Sequence, residues 1–176
     1  MRLWNRVPER VAEMLPAGCG PLLAHGQLEL PMGGLAAATQ HLIVWSTGDP
    51  SAHAGPICVA WDEVDTARWS QESLDLVQRD AAGSYRHHRL QFKDPGMIPE
   101  VVRERISWTV VASHALTVSD ADSGNRRVLL TARRSTRDAA VRWVATFEPQ
   151  SGPVTAAQAR AAALAGQQLA AQLGIG

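Results

Sequence analysis

From residue 21 to residue 92 the chain repeats one design: a short extended stretch rich in apolar residues, then a cluster of Gly, Pro, Asp or Ser that stops it. Strands this short cannot stand alone. Regular spacing with tight turns selects an antiparallel sheet that curls on itself. Pro21–Leu30 and Ala36–Ser46 are two extended stretches joined by P-M-G-G, a turn signal with Gly at two positions able to take positive φ, and they form a hairpin. In Ala36–Ser46, Leu42 and Val44 alternate with His41, Ile43 and Trp45, so both faces are apolar and the strand is expected to be central. After T-G-D-P-S-A-H-A-G-P comes the strand Ile57–Trp61, and W-D-E-V-D-T-A-R-W carries on through a bend at Asp62 and Glu63. Leu74–Gln78 and Tyr85–Phe92 make a further hairpin around D-A-A-G-S, and Asp94-Pro95-Gly96 ends the series.

The period then changes twice. Ile98–Ile106 has a helical pattern, with Pro99 and Glu100 in the first turn and Ile98, Val101, Val102, Arg105 and Ile106 on one side. Around Ser107 and Trp108 the period becomes that of a strand, Thr109–Val118. Arg126–Arg133 and Ala140–Phe147 follow across D-A-D-S-G-N and R-S-T-R-D, which predicts a three-stranded meander. Thr155 opens a closing helix to about Leu173, with Gln158 placed to complete a capping box. That helix is mainly Ala, with Leu164, Leu169 and Leu173 as its expected large anchors. At the other end, N-R-V-P-E-R-V-A-E-M-L reads as a short helix with Pro8 in its first turn and Val7, Val11, Met14 and Leu15 on one face.

The expected fold class is α+β: a curled antiparallel sheet system of eight or nine strands, with a central short helix and a C-terminal Ala-rich helix. At 176 residues one domain is the default. It comprises an N-terminal helix over 1–17, a β part with its closing helix over 18–108, and a meander plus helix over 109–176.

Net charge is zero, which gives no general attraction to nucleic acid or an anionic surface. The zero hides an asymmetry: residues 1–100 carry eight basic against twelve acidic side chains and 101–176 carry nine against five, so the halves sit near −4 and +4. Sixteen of the seventeen basic residues are Arg, which fits either GC-rich codon usage or selection for bidentate anion contacts. No apolar run reaches the roughly 18 residues that cross a bilayer, and M-R-L-W-N-R-V-P lacks the apolar core of a signal peptide. A cytoplasmic location is expected. Cys19 and Cys58 are then reduced thiols, without the spacing of a disulfide framework or zinc knuckle.

The hairpin, the short strand ending in A-W-D-E-V-D, the T-A-R-W that follows, the L-D-L-V and Y-R-H-H-R-L-Q-F strands and the helix P-E-V-V-R-E-R-I resemble the bacterial PH-like domains over about Cys19–Trp108. Over its full length the chain is similar to small uncharacterised actinobacterial proteins. The PH-like resemblance implies a curled antiparallel sheet capped by a helix, and a binding or assembly role. The continuation after Trp108 departs from the usual small PH-like domain.

Cys19-x5-His25, His53-x4-Cys58 and His87-His88 match no recurrent zinc spacing, and strand neighbours such as His87 and His88 point to opposite faces, so no metal ligand is assigned. No G-x-S-x-G, Walker A or dinucleotide fingerprint occurs, and no cofactor is expected. Asp62, Glu63 and Asp65 are read as charges on a solvated strand edge in preference to a cation site. His114 shares a strand face with Val110, Ala112, Leu116 and Val118, which predicts an imidazole against the core. Its catalytic alternative is a general base with Arg103 or Arg105 holding an anionic substrate. Arg126, Arg127, Arg133, Arg134 and Arg137 are a candidate anion- or phosphate-binding patch, although nucleic acid is disfavoured by the neutral charge. The expectation is a non-enzymatic binding or scaffold module acting through a protein surface or a homodimer. An enzyme around His114, Arg103 and Arg105 is the alternative, and an anion binder using Arg126–Arg137 a further one.

Overall fold

The computed structural model describes residues 8–29, 33–46, 55–80, 83–121, 124–149 and 152–174. The fold is α+β, with ten strands and three α-helices among these residues. It divides into two compact units, Met1–Ser107 and Trp108–Gly176. Among the described residues no helix is long and apolar enough to cross a membrane.

In the first unit, α1 (Glu9–Met14) precedes β1 (Leu22–Leu28), β2 (Leu35–Thr39), β3 (Leu42–Ser46), β4 (Ile57–Ala60), β5 (Val64–Ser70), β6 (Ser73–Arg79), β7 (Tyr85–Asp94) and α2 (Ile98–Thr109). The strands form one antiparallel sheet in the order β4-β3-β2-β1-β7-β6-β5. Because Ala24, Ile43, Val59, Trp61, Leu74, Leu76, Phe92, Ile98 and Val102 all enter a single buried cluster, both ends of the sheet and α2 share one core. The sheet therefore curls, as the spacing of short strands requires. Trp61, in a 3-10 turn (Trp61–Glu63) between β4 and β5, is fully buried, and its indole N–H donates to the Thr39 carbonyl at 3.0 Å. The other face of β2 and β3 is also covered: Ala37, Leu42 and Val44 pack with Val11 and Met14 of α1.

The stretch Ala36–Ser46, expected as one strand, folds back on itself as β2 and β3, with Ala38 opposite Ile43. No Gly or Pro marks that turn. Thr39 makes it instead: its hydroxyl donates to the Cys19 carbonyl at 2.7 Å and accepts from the Leu42 N–H at 3.2 Å. The two halves of the sheet join where β1 pairs with β7, Gln27 opposite Asp94. Here Gly26 has no substitute of similar fit, since a Cβ on it would lie 2.8 Å from the Asp94 carbonyl oxygen.

The second unit holds β8 (Val110–Asp120), β9 (Gly124–Arg134), β10 (Val141–Phe147) and α3 (Ala156–Leu173), with the sheet order β10-β9-β8. This is the expected meander. The helix α2 runs about one turn further than its sequence pattern, to Thr109, and β8 begins at the next residue. Thr155 and Gln158 form the expected capping box, and the Gln158 side chain, 1% exposed, also donates to the Gly124 carbonyl.

The expected anchors of α3 are partly corrected. Leu169 packs into the cluster of Val118, Val128, Leu130 and Ala162, but Leu164 and Leu173 are 56% and 52% exposed. Their places are taken by small residues: Ala162 and Gly166 are the buried positions, and a Cβ on Gly166 would sit 3.5 Å from that of Trp143. The helix lies so close to the sheet that leucines at its contact line would not fit.

Candidate binding groove

One concavity of the first unit, smaller than the one of about 620 Å³ beside Arg10, Glu29 and Lys93, lies between β5 and α2. Register slips between Val64 and Thr66, after which Ala67 and Trp69 stand opposite Leu76 and Leu74 and face inward with them. Both are half-buried against the core, and the Trp69 ring lies 5.3 Å from that of Phe92. Trp69 is further held by its indole N–H, which donates to the Gln71 carbonyl at 2.8 Å. From the other side α2 presents Pro99, Val102, Arg103, Ile106 and Ser107, residues three and four apart that share one flank of a helix. The groove between them has a volume of about 440 Å³. Its walls are mainly apolar, and Glu100, Arg103 and Ser107 stand exposed at its rim. β5, which supplies Ala67 and Trp69 to the groove, ends the sheet order and is an edge strand.

Such a site suits an extended chain. An edge strand supplies main-chain hydrogen bonds, an apolar slot takes a side chain, and two rim charges of opposite sign favour neither a polyanion nor a polycation.

A second polar feature of this unit is a chain of side chains across the sheet. His88 Nε2 lies 3.0 Å from the Gln78 amide oxygen, and the Gln78 amide nitrogen donates to Glu63 at 2.9 Å. That orientation of Gln78 requires the His88 proton on Nε2. The Trp45 ring meets the imidazole edge to face at 5.0 Å. Partial burial, and secondarily the charges of Arg86 and His87, hold the His88 pKa below its ordinary value. His87 is exposed, as the strand alternation requires.

The residues singled out in the sequence have separate settings. His114 is exposed on β8, which corrects the expectation of a core imidazole. Alternation places it on the correct face, opposite the buried Leu130, but β8 is an edge strand with only β9 beside it. Arg103 lines the groove, and Arg105, its side chain 19% exposed, pairs with the neighbouring Glu104. Those two arginines belong to the first unit and His114 to the second.

The five arginines of the candidate patch are dispersed. Arg126 is 5% exposed and donates to the Gly152 carbonyl at 3.1 Å, so it is withdrawn from any surface. Arg127 is exposed near the far end of β9 from Arg133 and Arg134. Arg133 donates to the Thr109 hydroxyl at 3.1 Å, Arg134 stacks 5.3 Å over the Trp108 ring, and Arg137 is exposed in the turn after β9.

Among the described residues no three His, Cys, Asp or Glu side chains converge as a metal site would need. Cys19 is buried and Cys58 exposed, whereas His53 lies outside the described residues. Glu63 of the acidic cluster is engaged by Gln78, and the Asp65 carboxylate accepts from the Thr66 hydroxyl at 3.4 Å. The groove itself had no signal in the sequence beyond Trp69 and the apolar flank of α2. Compared with known proteins, the chain matches no family model, no curated protein and no solved structure.

Proposed function

We propose that this chain is a non-enzymatic binding module of PH-like character, in which the groove between β5 and α2 takes an extended apolar segment of a partner protein. The observation that carries this reading is the placement of one apolar slot beside an edge strand: Ala67, Trp69, Val102 and Ile106 form the slot and β5 supplies the edge. A curled antiparallel sheet with a helix packed onto it is also what the PH-like resemblance implies. Main-chain pairing along β5 provides affinity, and the slot selects the side chain that projects into it. The rim pair Glu100 and Arg103 then favours polar residues flanking that anchor.

The test is selection of binders from a displayed library of random peptides, followed by amide chemical-shift mapping with the tightest one. Expected are shifts concentrated in Val64–Ser70 and Ile98–Thr109, and binding at least about tenfold weaker after Ala67→Leu, which fills the slot without adding charge. Failure to select any peptide, or shifts concentrated elsewhere, would sink the proposal.

A further inference from the structure

A sheet edge is a row of unpaired main-chain donors and acceptors, and folded proteins protect it with charge, bulges or brevity. Among the described residues the two sheets have four edges, and two follow that rule: β4 has four residues, and β10 carries Arg142 in a seven-residue strand. A third, β5, is the edge assigned above to a partner segment, and Asp65, Arg68 and its register slip keep that pairing short. The fourth does not. β8 spans eleven residues, and from Val110 to Ser119 it reads V-V-A-S-H-A-L-T-V-S, without one formally charged side chain. Its only irregularity lies at one end, between Val110 and Ala112. Ser113, His114, Ala115, Thr117 and Ser119 are all exposed, and most are small enough to admit a neighbouring strand.

We propose that β8 is a homodimer edge, pairing antiparallel with β8 of a second copy about a two-fold axis at Ala115. A second copy fits better than an unrelated strand for reasons on the strand itself. Full overlap of eleven residues centres the pairing on Ala115, which then faces itself, with His114 opposite Leu116 and Ser113 opposite Thr117 of the other copy, twice over by symmetry. No like charges meet within it. At each end Asp120 of one copy arrives beside Val110 of the other, whose own β9 partner is Arg133.

The helix offers an independent argument. A two-fold axis relating antiparallel strands of one continuous sheet stands perpendicular to that sheet, so both α3 helices fall on the same face. Of the three strands it covers, α3 lies chiefly over β8, the edge. Its exposed side holds Ala163, Leu164, Gln167, Gln168 and Ala171, and Arg160 is the only charged residue among its eighteen. A solvated helix face normally carries charge, and this one is suited to a neighbouring helix of the same kind. His114, exposed in a single copy, would be flanked on both sides in the pair.

The full-length chain is examined by sedimentation equilibrium, together with Ser113→Lys/Thr117→Lys, which sets lysines opposite one another across the axis on an exposed face. The wild-type chain is expected to be a dimer, and the double variant to dissociate about a hundredfold more readily with an unchanged far-ultraviolet circular dichroism spectrum. In a Cys58→Ser background, Ala115→Cys should oxidise to a covalent dimer, because directly opposed strand residues meet the Cα separation of a disulfide. Arg142→Cys on the other edge of the same sheet should remain chiefly monomeric. A wild-type monomer at all concentrations, a dimer indifferent to the lysines, or equal cross-linking from Arg142→Cys would each overturn the proposal.

Discussion

The two units solve the problem of a short-stranded sheet in different ways. The first wraps seven strands and α2 around one core, and fills it with Trp61, Phe92, Ile43, Leu74, Leu76 and Ile98, each below 2% exposed. The second lays three strands under a single helix and packs the contact with Ala162 and Gly166. Large side chains give the first unit its burial. Close approach of backbones gives the second its fit, at the expense of apolar area, since an alanine removes far less surface from water than a leucine. Stability in the first unit is consequently concentrated in a few residues, and in the second it is spread along a contact line.

The largest effect is expected from Trp61→Ala. It empties the centre of the first core and leaves the Thr39 carbonyl without its donor, so a loss of about 3–5 kcal/mol is expected in denaturant unfolding. Hydrogen exchange should show the loss in the strands of Met1–Ser107, and equal loss of protection in β8–β10 would contradict the division. The counterpart in the second unit has the opposite sign. Gly166→Ala places its methyl at ordinary contact distance from Trp143 while improving helix propensity, so stability should rise by up to about 1 kcal/mol. A decrease would show that α3 needs closer contact than the 3.5 Å separation implies.

The smallest effect concerns His88. Its folded-state pKa lies below the ordinary 6.5, so the unfolded chain binds more protons as acidity rises through that value. The first unit should lose stability as pH falls below about 6.5 and stop losing it, from this source, once the folded-state pKa is passed. His88→Gln should flatten that part of the urea-midpoint profile. An unchanged slope would mean that His88 does not carry it.

Much of the architecture was legible because local chemistry agreed with the global fold. The T-A-A-Q of Thr155–Gln158 announced a capping box, the Gly- and Asp-rich turns announced the meander, and the shift from helical to strand period located the junction of α2 and β8 within about two residues. What was not legible involved partners distant in sequence. The turn between β2 and β3 depends on Thr39 reaching the Cys19 carbonyl, twenty residues away. Period alone named the face of His114 but not its exposure, which follows from the position of β8 at the end of the sheet order. It likewise proposed Leu164 as an anchor because leucine is large, whereas the close approach of α3 to Trp143 reserves the contact for small residues. The groove arises only when β5 and α2, separated by two strands along the chain, come together.

At the joint between α2 and β8 the chain passes from helix to strand without a loop. Thr109 is the last helical residue and Val110 the first of the strand, while the division between the units falls within the helix, after Ser107. Proteases act on chain that can be drawn out as an extended loop into their clefts, and nowhere between these halves is there a loop to draw out. Nicking should therefore spare this joint, and a truncation designed to isolate either half must cut through a helix or a strand.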